Sequence, residues 1–355
     1  MTSTLHRYLT KLFFSRLVLL LVGINFLVVI LDFMANGDDV ISSNSTPLLS
    51  SFRYMGLRLP QIASTLMPFV LLIAVLLTLM ELVRHQEMAA MMSAGMSQLK
   101  VMLTLLPAGM IVAVLQFAIN DQLEPRAIKE LKNWGVGEYK VDKGEEIDAI
   151  WFHHQSDIIR VGRVERGDLL HDITIFRRGQ DGNIVERIHA NRLVHENGTW
   201  ILSDVSRSTI TRREPEQLDH LEWQSNLQPH LVASLASHPK DLSVFEIRRF
   251  WQEARFGSFP NHVYEVWMHR KIVAPLVLFV MVLMSVPLVQ RYQRDTNLVS
   301  ILVFGLAAGF FFIVFDDLLM TFGEAGLIPP ILAAWAATLI FAAIGATLAL
   351  HHESL

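Results

Sequence analysis

Residues 84–97 read RHQEMAAMMSAGMS and lie between two nearly pure apolar runs, MPFVLLIAVLLTLM before them and VMLTLLPAGMIVAVL after them. A polar, Met- and Ala-rich segment this short, set between two membrane-length runs, reads as a turn made outside the bilayer by a chain that crosses, turns and crosses back. Met88, Met91 and Met92 stand at i, i+3 and i+4 and so share a helix face, and Gly95 is a natural stop for that helix. Arg84 and Glu87 are three residues apart and within pairing reach. Two readings stay open on this pattern. The helix lies with its methionines on the membrane surface, or it docks on a partner through them, since methionine is flexible and polarizable and keeps contact with a partner that moves.

Working outward, five further features agree with a membrane chain. The 355 residues are 52% hydrophobic and only 18% charged, against about 25% charged in soluble domains. The deficit is local, because the middle third is ordinary polar sequence. Six apolar stretches have spanning length, near residues 12–34, 61–82, 99–120, 272–290, 298–320 and 329–350. The first is too long in its apolar core for a cleaved signal. Arg7, Lys11, Arg16, Arg84, Lys100, Arg291 and Arg294 flank one side of the spans, which places both termini and residues 84–97 inside the cell and residues 121–271 outside.

The outer segment begins helically with LEPRAIKELKNW. It continues through Ile-, Val- and Thr-rich runs broken at QDGN and ENGT, where Asn and Gly suit hairpin turns. This predicts an antiparallel β-sandwich or jelly-roll-like sheet. DLSVFEIRRFWQEARFG then returns to helix, capped by Asp241 or Ser243 and ended by Gly257. The expected organisation is three spans with a short inner helix (1–120), an outer β domain with flanking helices (121–271) and three more spans (272–355).

Several chemistries have no support. The net charge of −4 offers no basic excess for nucleic acid, and the absence of cysteine excludes disulfides and thiolate metal sites. There is no phosphate-binding loop and no dinucleotide fingerprint. The pairs His153–His154 and His351–His352 are poor metal sites, the first because neighbours on a strand point to opposite faces and the second because it lies at a chain end. No metal site is expected. Pro60 suits the first turn of the second span, while Pro68 lies inside it and is expected to kink it. The acids Asp32, Asp316 and Asp317 sit near the outer ends of spans one and five, where charge is costly unless it faces a cavity or a partner.

The stretches LPQIASTLMPFVLLIAVLLTL, QEMAAMMSAGMS, IHANRLVHENGTWILSDV, YEVWMHRKIVAPLVLFVMVLMSVPL and GLIPPILAAWAATLIF, in this order, resemble the LptF/LptG permease family of the lipopolysaccharide exporter. The VVILDFM end of span one resembles the LptG branch more than LptF. The resemblance implies a non-catalytic permease in the bacterial inner membrane. It implies that 84–97 is a coupling helix held in a groove of the ATPase LptB, with Arg84, Glu87, Met88, Met91, Met92 and Gly95 forming the contact. Two permeases would stand over two LptB copies, which bind ATP and Mg. Lipopolysaccharide would leave the outer leaflet of the inner membrane for periplasmic jelly-roll domains, then LptC and LptA. A substrate path past Phe26, Asp32, Phe33, Arg53, Arg58, Phe312, Asp316 and Asp317 would follow, with Ile175 and Ile201 on the strand surface that meets lipid or partner.

One departure stands out. LptG chains often carry lysines after the span-one acid, suited to lipid phosphates, and LDFMANGDD has none. Arg53 and Arg58, in the outer loop, or the partner permease would then supply the positive charge. A substrate poorer in phosphate, or a divalent ion bridging acid and phosphate, would also resolve it. A membrane-anchored sensor that signals through 84–97 is the competing reading, and six spans are more than an anchor needs.

Overall fold

The computed structural model describes residues 2–42, 46–95, 100–101, 104–139, 149–154, 157–166, 169–179, 181–196, 198–209, 214–223, 225, 237–252, 259–292 and 298–353. Two compact units result: Met1–Lys140 with Glu265–Leu355, and Val141–Tyr264. The expected boundary of 121–271 is thus too wide at both ends.

In the first unit, α1 (Thr2–Ser42), α2 (Pro47–Arg84), α3 (Glu87–Ser93), α4 (Leu106–Ala118) and α5 (Glu124–Trp134) precede the break, and α7 (Asn261–Tyr292), α8 (Leu298–Glu324) and α9 (Pro330–Glu353) carry the chain after it. Among the described residues six helical stretches are long and apolar enough to cross a membrane. They agree with the six expected spans in number and order, but not in length.

At 1.5 Å per residue, the 41 residues of α1 and 38 of α2 reach roughly 60 Å, about twice a bilayer's hydrocarbon core. Hydropathy registers only the apolar half of such a helix. The polar half is helical because it packs: Val40, Tyr54, Leu131 and Val136 form a buried cluster joining α1, α2, α5 and the turn after it. That cluster draws residues 124–134, expected in the outer domain, into the helical unit. Pro60, expected in a first turn, therefore lies inside α2 with Pro68, and Pro47 takes the first-turn position.

The third span also differs. Among the described residues it runs Leu106–Trp134, with Pro107 in its first turn, against the expected 99–120, and Lys100 and Val101 ahead of it are also helical. A π-helical segment, Ile119–Leu123, joins α4 to α5. Lys271 is buried and its ammonium donates to both the main-chain and side-chain oxygens of Asn120 at 3.2 Å, so a cation from α7 meets the irregular turn.

The helices meet through small residues. On α8, Gly305 and Gly309 face α2: an added Cβ at Gly305 would collide with Leu76, and one at Gly309 would stand 3.1 Å from Leu72 and Phe69. Four-residue spacing of glycines is the usual device for close approach of spans. Gly305→Leu should push α8 off α2, at about 1–3 kcal/mol as for an overpacked core. A lower midpoint in thermal unfolding of the detergent-solubilised chain checks this.

In the second unit, six strands form one antiparallel sheet in sequential order: β1 (Ile150–His154), β2 (Asp157–Arg166), β3 (Leu169–Arg178), β4 (Ile184–Glu196), β5 (Thr199–Thr209) and β6 (Glu216–Trp223). Both predicted turns are present. Gly182 has φ +75 between β3 and β4, and Gly198 has φ +85 between β4 and β5. The expected β-sandwich or jelly-roll-like sheet is, among the described strands, one antiparallel meander with one transverse bend.

That bend has a local cause. Pairing lapses along a line through Gly162, Asp172, Asn191, Asp204 and Asp219, one residue per strand. Asp172 and Asp204 hold positive φ, which aspartate tolerates better than most residues. Across the line, buried residues are spaced by three instead of two: Leu170 to Ile173, Ala190 to Leu193, Leu202 to Val205. The reversal keeps the apolar side continuous around the bend. Beyond the sheet, α6 (Val244–Gln252) opens with a reciprocal cap. Ser243 donates its main-chain N–H and hydroxyl to Glu246, each at 2.9 Å, and the Glu246 N–H donates to the Ser243 hydroxyl. The predicted stop at Gly257 lies outside the described residues.

Candidate coupling and substrate-path sites

The turn between α2 and α4 is built from the end of α2 upward. Gln86 takes a left-handed conformation, φ 56, which ends α2 and lets α3 start in a new direction. Glu87 opens α3, where an acid favours the positive helix end. Gly95 closes it at φ +86, with its N–H bonded to the carbonyl of Met92 at 2.9 Å.

The methionine face divides. Met88 and Met91 are buried members of the helical core cluster, and Met92 is 44% exposed. The exposed arc of α3 is Ala89, Ala90, Met92 and Ser93. This corrects the expectation that all three methionines present to a partner. Two of them are anchors, because a seven-residue helix holds its direction only if one side is packed. No Arg84–Glu87 pair forms; Glu87 accepts a hydrogen bond from the Tyr8 hydroxyl at 3.1 Å, and Arg84 is exposed. Residues 96 and 97 of the segment lie outside the described residues. A tie between α1 and α2 was also not anticipated: Arg16 donates to Glu81 through both Nε (3.0 Å) and Nη2 (2.5 Å).

At the far end of α1 and α2, Asp32 has a partner. Arg58 is buried, and its guanidinium forks onto Asp32 at 3.0 and 2.6 Å. It also reaches Gln61 at 2.7 Å and Glu138 at 3.1 Å, and the Tyr54 hydroxyl donates to Asp32 at 2.9 Å. Arg58 therefore lies in a helix and faces Asp32, not in an outer loop facing substrate. Arg53 pairs with Glu130 at 3.2 Å, and its guanidinium lies 4.8 Å from the Trp134 ring centre. Phe33 packs beside Tyr54.

The two acids of α8 separate. Asp316 is buried and meets Arg270 of α7 at 2.6 Å, and Asp317 is exposed. Phe312, expected on the substrate path, is buried edge-on against Phe341, with ring centres 5.0 Å apart. Phe26 is 65% exposed on α1, together with Val18, Val22 and Leu31. α1 is the span least covered by the chain itself, so its apolar face is offered to lipid or to another subunit.

In the sheet, Ile175 and Ile201 point oppositely. Ile175 is fully buried on the apolar side with Ile159 and Ile188 across from it, and Ile201 is half-buried on the other side. The apolar side ends in a charged cluster where Glu186, buried, receives Arg177 at 2.8 Å and also Arg207. Burial holds the carboxyl of Asp157 above its ordinary range, against the opposing pull of Arg177 at 3.7 Å.

Tyr54, Gln61, Glu138 and Arg270 were missed in the sequence. For Arg270 a signal existed. It sits in MHRKIV, whose charges set the start of the fourth span at residue 272, while α7 in fact runs through them.

The family model for the lipopolysaccharide export system permease LptF/LptG matches residues 7–351. The chain is 24% identical over 349 residues to the lipopolysaccharide export system permease protein LptG of Haemophilus influenzae, covering 96% of both chains. It is 23% identical over 346 residues to the protein of the same name from Escherichia coli K12, covering 94% of both. With six spanning helices, an antiparallel sheet between the third and fourth, and a match over nearly its whole length, the chain belongs to the LptF/LptG family of lipopolysaccharide export permeases.

Proposed function

We propose that this permease acts in the bacterial inner membrane at the LptG position of its exporter, paired with a paralogous LptF and driven by two copies of the ATPase LptB. The chain itself hydrolyses nothing; ATP and Mg belong to LptB. Lipopolysaccharide enters from the outer leaflet of the inner membrane between the two permeases and passes through the β unit to LptC and LptA. Both termini and α3 are cytoplasmic.

The observation that carries this reading is α3. One side is anchored in the helical core by Met88 and Met91, and the other presents Ala89, Ala90, Met92 and Ser93. A short helix held rigidly from behind, with small residues in front, suits insertion into a groove of a moving partner. The apolar side of the sheet suits acyl chains, whose exposure to water costs about 0.8 kcal/mol per methylene. The order β1 to β6 leaves β1 and β6 with one described neighbour each, which suits extension by strand addition.

The test is reconstitution in vesicles with LptF and LptB. ATP-dependent transfer of lipopolysaccharide to soluble LptA is expected, and it should be lost when LptB is omitted. Transfer that proceeds without ATP, or a chain that never co-purifies with LptB, overturns the proposal.

A further inference from the structure

Arg16, Glu81, Arg84 and His85 ring a cavity of about 290 Å³ at the α3 end of the helical unit. Its apolar lining comes from Leu77 and Met80 of α2 and Leu302 of α8. Glu81 is held by Arg16, so these two charges cancel. Arg84 and His85 are exposed, and Arg84 has no ion-pair partner among the described residues. The formal charge of the ring is therefore +1 with the imidazole neutral. None of these groups belongs to the exposed arc of α3.

The groups are ordered by depth. Arg84 and His85 lie at the end of α2. Glu81 lies most of a turn further in, and Met80 and Leu77 lie about 6 and 10 Å inside Arg84 at 1.5 Å per residue. A phosphodiester at Arg84 and His85 would thus have its glycerol beside Glu81 and Arg16, and its first acyl carbons on Met80, Leu77 and Leu302. This is the charge and polarity sequence of a phospholipid at a membrane surface, and basic pockets between spans on the cytoplasmic side take anionic headgroups. We infer that the cavity is a binding site for an anionic phospholipid of the cytoplasmic leaflet, seated between α1, α2 and α8. The site rests on the proposed orientation for the choice of leaflet, and not on the proposed substrate. It would make the position of α3 sensitive to the lipid beside it, because Arg84 and His85 immediately precede Gln86, where the chain turns into α3.

The test uses the full chain in detergent, exchanged into mixtures of dioleoyl phosphatidylglycerol and dioleoyl phosphatidylcholine, with retained lipid counted by native mass spectrometry. Wild type should retain phosphatidylglycerol preferentially. Arg84→Gln should weaken that retention roughly fivefold, the usual worth of one basic group near an anionic headgroup, and Arg84→Glu should abolish the preference. Leu77→Trp should expel the lipid without touching the charge. Arg192→Gln, an exposed arginine of β4 in the other unit, should change nothing. Equal retention of both lipids, or unchanged retention in Arg84→Glu, overturns the inference. So does crosslinking of position 84 to an acidic segment of LptB in the assembled exporter with the lipid displaced. Lipid retention is read without transport, so failure here is separate from failure of the exporter reading.

Discussion

Arg58→Ala is expected to be the most damaging single substitution in the helical half of the chain. The side chain of Arg58 is buried against that of Asp32 through two hydrogen bonds, with Tyr54 on the same carboxylate. Removing the guanidinium leaves Asp32 charged, nearly buried and short of its two best donors. Breaking such a pair costs about 3–5 kcal/mol, most of it the penalty on the charge left behind. The resulting loss is comparable to the whole stability of many domains, so little folded chain should accumulate in the membrane. Asp32→Ala should do the same from the other side. Asp32→Leu combined with Arg58→Met should recover much of the loss, because an apolar pair of similar volume replaces a buried ion pair at little cost. Size-exclusion profiles and thermal unfolding of the solubilised variants check this. The sequence reading had Arg58 offering positive charge to the substrate and Asp32 as a separate group on the same path; the structure makes the two a unit. If Arg58→Ala unfolds at the wild-type temperature yet loses crosslinking to lipopolysaccharide, Arg58 works on the substrate after all.

What the sequence disclosed follows from the range of each signal. Hydropathy reports one property along the chain and located all six spans, but it stopped where α1 and α2 turn polar, although both continue as helices. The turn pairs QDGN and ENGT were legible because glycine's left-handed conformation is a local requirement, and Gly182 and Gly198 satisfy it. The bend of the sheet was not. Asp172 and Asp204 are single acids inside strand-like runs, and only the alignment of five strands puts them on one line with Gly162, Asn191 and Asp219. Ion pairs were missed for the same reason. Asp32 and Arg58 are 26 positions apart, and Arg270 and Asp316 are further still. Each acid looked unpaired because its cation is on another helix. The absence of lysines after span one is thus less of an anomaly than it looked. Asp32 is matched by a cation within the chain, and positive charge for the substrate must come from elsewhere.

The methionines of α3 allow the division of labour to be measured. Met88 and Met91 are buried and Met92 is not, although all three lie within one i, i+3, i+4 arc. Met88→Ala or Met91→Ala should therefore cost about 2–5 kcal/mol of stability, as for large-to-small core changes. Chain that does fold should still capture LptB, because the presented surface is intact. Ala89→Arg with Met92→Arg should behave in the opposite way. Both positions are exposed, so unfolding should stay near wild type, while bulk and charge on the presented arc block a groove that accepts small residues. A loss of about 2 kcal/mol or more, the scale of an interface hot spot, corresponds to roughly thirtyfold weaker capture. Glu87→Lys falls between them, since it breaks the bond from Tyr8 and also reverses a charge at the start of α3, where the helix dipole favours an acid. Capture of LptB by immobilised permease, measured alongside thermal unfolding, separates the three. Should Met88→Ala and Met91→Ala lower capture while leaving unfolding unchanged, and Ala89→Arg with Met92→Arg leave capture intact, the buried pair would be the contact, and α3 would have to turn out of the bundle to reach the ATPase.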